Sequence, residues 1–247
     1  MLTDSVLRDL AAFGPFFAVQ THSPRSLPDQ PWHPMSELVG DPRILRDRVA
    51  AVGARLATTS GQSAPAVELR VAASVTHLGL VARLVSPALA VAVTTGELLT
   101  LDLGSVRWQP TLGGAFPLSV PLPAGTGTGG YDRGLLACLL ARQILDGPIR
   151  DLVQATVPLS VSRRILWGNV ASAVNGALSV IATRQPRWAE QARALLSRLL
   201  DQPPLQDTSI TTTTGAFRRR SCCLIYRAAP RATAAVCGDC ILSRDPL

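Results

Sequence analysis

The stretch VAASVTHLGLVARLVSPALAVAVTT, residues 71–95, is the longest apolar region of the chain. His77 and Arg83 lie within it and Pro87 interrupts it, whereas a membrane-spanning helix needs about 20 predominantly apolar residues with few or no charges. The region 71–95 therefore predicts a buried helix that is broken at Pro87, rather than a membrane span. The apolar run 88–93 that follows fits either a strand or a helix.

The composition provides material for a core but few aromatic side chains. Hydrophobic residues make up 47% of the 247 residues and aromatic ones only 4%, so alanine, leucine and valine have to fill the interior of one large domain or two small ones. All 24 basic residues are arginines, and the formal net charge is +7. Because these arginines are spread along the chain, with one short run at 218–220 and no aromatic residues interleaved, nucleic acid is not an expected partner.

Local start and stop signals mark further helices. The dipeptide Asp41-Pro42 predicts a helix start, with the aspartate as N-cap. Asp132 and Ser160 are predicted to cap two later helices, the first of which ends at Gly147-Pro148. In the second, Gly168 and Gly176 predict close packing contacts, since glycine inside a helix costs about 1 kcal/mol relative to alanine. The predicted buried stripe of that helix is Leu166, Val170, Ala173, Ala177 and Ile181.

The β portion is predicted within residues 88–122. Leucines alternate with other residues over 99–103, and Val106 and Trp108 alternate beyond Gly104, which predicts a β-hairpin that turns at Gly104 and Ser105. The expected fold class is α+β, with a predominantly helical body and a small antiparallel β portion. We expect a body at residues 1–205, a polar linker at 206–216 and a C-terminal segment at 217–247.

Three upstream features are predicted to be structural. The glycine-rich run 125–130 matches neither the dinucleotide-binding nor the phosphate-loop spacing, so a flexible loop is expected. Cys138 lies in an apolar helical pattern and is predicted to be a small core residue. His77 lies beside an apolar stripe, where a histidine is usually a core or edge residue. No upstream segment therefore predicts a catalytic site.

Four of the five cysteines lie between positions 222 and 240. Cys237 and Cys240 form a C-x2-C pair, whose spacing lets two thiolates face one metal from a tight turn, and Cys222 and Cys223 are adjacent, so a shared site requires a bent backbone there. Residues 1–19 lack the pattern of an export signal, so we expect a reducing cytoplasm, where clustered cysteines are metal ligands more often than disulfides. Four thiolates suit either a zinc ion or an iron–sulfur cluster.

The C-terminal segment resembles the FhuF-type ferric-siderophore reductases, a family with a C-terminal [2Fe-2S] cluster. The resemblance rests on CCLIYR at 222–227 and CGDC at 237–240, and a helix of that family is similar to RRILWGNVAS at 163–172. It covers the last third of the chain well and the rest only in general character. Thirteen residues separate the two pairs here, more than in the family pattern. The resemblance implies that Cys222, Cys223, Cys237 and Cys240 are the four cluster ligands.

The implied activity is one-electron reduction of a ferric siderophore, which releases Fe(II) in the cytoplasm. The expected partners are the ferric siderophore and an external electron donor, either a ferredoxin-like protein or a flavin reductase. No transmembrane segment is expected, and peripheral contact with a membrane is left open. Arg218, Arg219, Arg220 and Arg227 flank the cysteines and are predicted to attract an anionic chelate or an acidic donor. The alternatives are an iron–sulfur electron-transfer or iron-handling protein without siderophore turnover, and a zinc-stabilised binding domain.

Overall fold

The computed structural model describes residues 2–61, 67–122, 125–126, 133–213, 215–228 and 236–242. Within them the chain forms eight α-helices and eight short strands. The helices are α1 Asp4–Ala12, α2 Glu37–Gly40, α3 Pro42–Ser60, α4 Leu69–Thr95, α5 Arg133–Leu140, α6 Arg150–Thr156, α7 Arg163–Arg184 and α8 Ala189–Leu200. The strands are β1 Gln20–His22, β2 His33–Pro34, β3 Leu98–Leu99, β4 Arg107–Trp108, β5 Leu118–Pro121, β6 Gly125–Thr126, β7 Ser209–Thr211 and β8 Phe217–Arg219. The structure is 58% helical, which confirms the predicted α+β class with a predominantly helical body.

Helix α4 is the central element of the core. It packs against α3, α7 and the strand β3, and 19 of its 27 residues are buried. The buried helix predicted for residues 71–95 is therefore confirmed. The helix passes through Pro87 and continues to Thr95, so of the two structures considered for the run 88–93 the helix is the one present.

Packing explains why α4 passes through Pro87. A proline in a helix interior costs about 3 kcal/mol, whereas a fully buried leucine or valine side chain contributes roughly 1.5–3 kcal/mol. The flanking residues Leu84, Val85, Ala88 and Leu89 are all at most 2% exposed. Burial of these side chains offsets the proline, which local propensity alone does not show.

The charge of Arg83 inside α4 is accommodated by backbone carbonyl groups. Its guanidinium donates to the carbonyl of Phe116 at 2.8 Å, to that of Phe16 at 2.8 Å, and to that of Ala18. Burial lowers the pKa of Arg83 to about 10. This arginine therefore ties α4 to the segments that lead into β1 and β5.

The strands form a mixed sheet rather than the predicted hairpin. The order in the four-stranded sheet is β1-β5-β4-β2; β1 pairs with β5 in parallel, and the other two pairings are antiparallel. The turn at Gly104 and Ser105 exists, since the N–H of Ser105 donates to the Asp102 carbonyl at 3.1 Å. The strands on either side of it do not pair, because β3 pairs with β6 and β4 pairs with β5 and β2. The hairpin prediction was wrong. Within the predicted range the first strand begins at Leu98 instead of residue 88, and the strands β1 and β2 of the sheet lie outside that range.

The predicted helix boundaries are confirmed in part. Asp41 caps α3, and its Oδ1 accepts from the N–H of Arg43 at 2.9 Å. The cap of α7 is Ser162 and not Ser160, which has a left-handed backbone with φ of 65°. Cys138 is exposed, so its prediction as a core residue was wrong. Asp132 and the glycine-rich run beyond Thr126 lie outside the described residues.

The C-terminal part returns to the helical body through a small hairpin. Strands β7 and β8 pair antiparallel, with Ile210 opposite Arg218, and β8 packs against α7. The segment 206–216, predicted as a polar linker, thus contains a strand. This hairpin places the cysteine pairs beside α4 and α7.

Two helices are long and apolar enough to cross a membrane when judged by length and composition. They are Leu69–Thr95 and Arg163–Arg184, and their most apolar windows are 72% and 56% buried within the fold. A core helix passes the same test, and the burial of α4 agrees with a core position.

Candidate metal centre

The structure brings the two cysteine pairs together. Cys223 follows β8, and its Sγ lies 3.3 Å from the Sγ of Cys237. The second pair lies in a turn in which the N–H of Cys240 donates to the carbonyl of Cys237 at 3.1 Å. Cys223 and Cys240 are buried, whereas Cys222 and Cys237 are partly exposed. The thirteen residues between the pairs therefore do not keep them apart.

A backbone N–H donates to one sulfur atom of each pair. The N–H of Leu224 donates to the Sγ of Cys222 at 3.3 Å, and the N–H of Leu242 donates to the Sγ of Cys240 at 3.3 Å. Leu224 has φ of 69°, a left-handed conformation that is uncommon for leucine and bends the chain after the vicinal pair. Such N–H groups stabilise thiolates and tune a metal bound to them.

The contact between Cys223 and Cys237 separates the acidities of the two thiols. Their hydrogen bond lowers the pKa of Cys223 and raises that of Cys237, which is raised further by burial. Arg219 also lowers the pKa of Cys223. Burial raises the pKa of Cys222. Cys223 is therefore the thiol of this contact that ionises first.

Three buried polar side chains clamp the first pair to the helices. The hydroxyl of Ser74 in α4 donates to the carbonyl of Cys223 at 2.8 Å. Asn169 in α7 donates through Nδ2 to the carbonyl and hydroxyl of Ser74 at 3.0 and 3.1 Å. Arg219 donates through Nη2 to Oδ1 of Asn169 at 2.7 Å. The position of Cys223 is thus fixed by residues from both central helices.

The second pair is attached through Asp239. Its carbonyl accepts from the N–H of Arg219 at 3.1 Å, and its carboxylate accepts from the hydroxyl of Ser172 in α7. The turn that contains Cys237 and Cys240 is therefore fastened to both β8 and α7. Because β8 also leads to the first pair, one strand connects the two halves of the site.

Gly168 gives the cysteine segment room to approach α7. A Cβ at this position would overlap the hydroxyl of Ser221 and lie 3.0 Å from Nη2 of Arg219. The close contact predicted for this glycine is present. The close contact predicted for Gly176 is absent, since no atom lies within 4 Å of a Cβ placed there.

The four arginines predicted to bind substrate do not form one surface. Arg219 is 1% exposed and Arg218 is 8% exposed. Arg220 is exposed and donates to the carbonyl of Ser209 at 3.3 Å. Arg227 is also exposed and donates to Glu68 at 2.7 Å. Only two of the four therefore face solvent.

The donor set fits a thiolate-bound metal, although the ligands are not fully gathered. Among the described residues, no group of three or more His, Cys, Asp or Glu side chains stands around a common metal position. The Sγ separation of 3.3 Å between Cys223 and Cys237 is well above a disulfide length of about 2.05 Å. It approaches the roughly 3.8 Å that two thiolates need on one tetrahedral metal with metal–sulfur bonds of about 2.3 Å. The site offers four thiols, two N–H···S bonds and the buried cation Arg219. These groups suit a zinc ion or an iron–sulfur cluster.

A polar cleft of about 1000 Å³ opens beside the second cysteine pair. It lies between α7, α8, the β7–β8 hairpin and the turn at Gly238 and Asp239. Serine, threonine and amide side chains line it, together with the charged residues Arg193, Asp201, Asp207 and Asp239. The sequence did not predict this cleft, because its lining residues come from elements far apart in the chain.

The sequence matches no protein-family model, and a comparison with curated proteins finds no match. The resemblance described above therefore rests on the cysteine spacing and on the residues of α7.

His77, one turn beyond Ser74, makes stability depend on pH. Neither ring nitrogen has a hydrogen-bond partner among the described residues, and burial, with a contribution from Arg219, lowers its pKa from 6.5 to about 3. Between these values the unfolded chain binds the proton and the folded chain does not, so stability falls as pH decreases from 6.5 towards 3. His77→Leu should reduce the loss of unfolding free energy between pH 7 and pH 5 by about 2 kcal/mol. Urea unfolding of metal-free protein at both pH values measures this, and an equal loss in wild type and variant would contradict it.

Proposed function

We propose that the protein is a cytoplasmic ferric-siderophore reductase that holds a [2Fe-2S] cluster on Cys222, Cys223, Cys237 and Cys240. The observation that supports this most is the meeting of the vicinal pair and the C-x2-C pair, with Sγ atoms of the two pairs 3.3 Å apart. When bound, the cluster supplies one electron at a time. Fe(III) in a siderophore is held by hard oxygen ligands, and Fe(II), with less charge, is held less tightly.

The residues of the chain hold the site and admit the chelate. Ser74 and Asn169 fix Cys223, Ser172 fixes Asp239, and the N–H groups of Leu224 and Leu242 support the thiolates. No proton transfer is needed for a one-electron reduction, so the site requires no general acid or base. An external donor, either a ferredoxin-like protein or a flavin reductase, supplies the electron that reduces the oxidised site again.

The polar cleft is the proposed docking site for the siderophore. Its turn at Gly238 and Asp239 lies between the two ligands of the second pair, so a chelate in the cleft lies beside the electron source. Three aspartates and one arginine line it, and this charge favours a neutral or cationic chelate over a strongly anionic one. The exposed arginines Arg220 and Arg227 lie outside this lining. Arg220 is available for an acidic donor, whereas Arg227 is paired with Glu68.

A single-turnover reaction tests the activity. Anaerobically reduced protein is mixed with a ferric siderophore and a ferrous-specific chelator, and the trapped Fe(II) is compared with the oxidised cluster. We expect one Fe(II) for each cluster oxidised, since both changes involve one electron. Trapped Fe(II) at the level of a protein-free control would contradict the reductase and favour an electron carrier.

Filling the cleft should slow this reaction selectively. Ser179 is an exposed residue of α7 that lines the cleft, and Ser179→Trp should lower the rate with a ferric siderophore at least about tenfold by excluding the chelate. Reduction of ferricyanide, a small oxidant, should change little. Thr183→Trp is the control, because Thr183 is exposed on the same helix outside the cleft lining. Equal rates for both variants would remove the cleft from the proposal.

The same four thiols also suit a zinc ion, which makes a zinc-stabilised binding domain the second candidate. It is favoured by the tight turn at Cys237 and Cys240, the geometry of a zinc knuckle. Metal analysis separates it from both iron–sulfur functions.

A further inference from the structure

Arg219 is a buried cation with part of its guanidinium unused. It is 1% exposed, and its Nη2 donates to Asn169 and, at 3.2 Å, to the carbonyl of Ile165. Its Nε and Nη1 have no acceptor among the described residues. No carboxylate in the described part of the chain forms an ion pair with it. In this it differs from Arg83, whose guanidinium reaches three carbonyl groups.

A guanidinium keeps its charge when buried, and a buried charge without a partner is strongly unfavourable. The buried guanidinium of Arg219 therefore requires an anionic partner. The thiols are candidates for this anion, because the backbone N–H of Arg219 donates to the carbonyl of Asp239, which lies between Cys237 and Cys240, and Cys222 follows Arg219 by three residues. Four thiolates carry more negative charge than the positive charge of a zinc ion or of a [2Fe-2S] core, sulfides included.

Ser221 adds a second unused donor at the same place. Its hydroxyl is buried and has no partner among the described residues. Ser221 and Arg219 both approach Gly168, so the two side chains are neighbours. Two orphaned donors side by side, immediately before the first cysteine pair, point to one acceptor.

We infer that Arg219 and Ser221 are positioning residues whose free donors face the cysteine-bound group, and that Arg219 compensates its negative charge. This inference rests on the proposed function and assigns the control of the reduction potential to one arginine out of four. Compensation favours the reduced and more negative state of the site. A purely structural Arg219 would hold Asn169 without affecting the potential.

A redox titration of anaerobically purified protein tests this inference. Arg219→Gln should lower the ratio of reduced to oxidised protein at a fixed potential about tenfold, a shift of about 59 mV for one electron. Arg219→Lys keeps the charge but loses the fork, so its ratio should remain near that of wild type even if its stability falls. Arg220→Gln is the matched control, because that neighbouring arginine is exposed. Equal potentials for Arg219→Gln and Arg220→Gln would overturn the inference.

Ser221→Ala keeps the inference testable if Arg219→Gln does not fold. Removal of an unpartnered hydroxyl should leave the stability of the metal-free protein unchanged or raise it. The loaded protein should lose its metal to EDTA several-fold faster, because a donor to the bound group is gone. Metal loss at the wild-type rate would overturn the assignment of Ser221. This readout also works with zinc, so wild type that contains only zinc refutes the proposed function while the inference is still decided by the EDTA rates.

Discussion

Cys223→Ser is expected to lower the bound iron per chain by more than about tenfold, since even residues that only support metal ligands contribute 10–100-fold to affinity. The Sγ of Cys223 contacts the second pair, and the backbone carbonyl of Cys223 accepts a hydrogen bond from Ser74. A serine hydroxyl does not ionise near neutral pH, and its oxygen is a harder ligand than a thiolate sulfur. Iron and sulfide analysis of anaerobically purified protein measures the effect.

Cys138→Ser provides the control for this experiment. Cys138 is exposed in α5 and lies outside the cysteine segment, so its variant should retain wild-type iron. Wild-type iron in both the Cys223 and the Cys138 variant would show that Cys223 is not a ligand. Equal losses in both would indicate a general sensitivity to cysteine replacement.

Gly168→Ala and Gly176→Ala are expected to change stability in opposite directions, although both add one methyl group to α7. At Gly168 the methyl group would overlap Ser221 and crowd Arg219, which should destabilise the protein by about 1–3 kcal/mol. At Gly176 the added Cβ meets no atom within 4 Å, so the gain in helix propensity should stabilise it by up to about 1 kcal/mol.

Urea unfolding of the metal-free proteins measures this pair. The Gly168 variant should also bind metal more weakly, because the methyl group pushes the cysteine segment away from α7. Destabilisation of the same size at both glycines would mean that α7 simply does not tolerate alanine. It would contradict the close approach at Gly168.

The sequence predicted best what depends on neighbouring residues. The start of α3 at Asp41 and the buried stripe of α7 follow from capping and helical spacing, and both are confirmed. Strand pairing is not local: the alternation in 99–108 is compatible with many partners, and the structure pairs β3 with β6 rather than with β4. The sequence left the run 88–93 open between strand and helix, because the burial on both sides of Pro87 that makes it helical is not a local signal.

The site was predictable to a similar extent. Cysteine spacing pointed to four thiols, and the structure brings one sulfur atom of each pair within 3.3 Å of the other. Asn169 supports this contact through Ser74 and Arg219. The sequence did not indicate the role of Ser74, because this residue lies in an apolar helix 149 residues from Cys223. The burial of Arg219 was equally hidden, because the sequence RRR gives no sign of which arginine turns inward.

Iron, zinc and acid-labile sulfide analysis of anaerobically purified wild-type protein tests the central claim most directly. A [2Fe-2S] cluster predicts about two iron and about two sulfide per chain, with visible absorption that dithionite bleaches. A colourless protein with about one zinc per chain and no sulfide would contradict the cluster and every redox role derived from it.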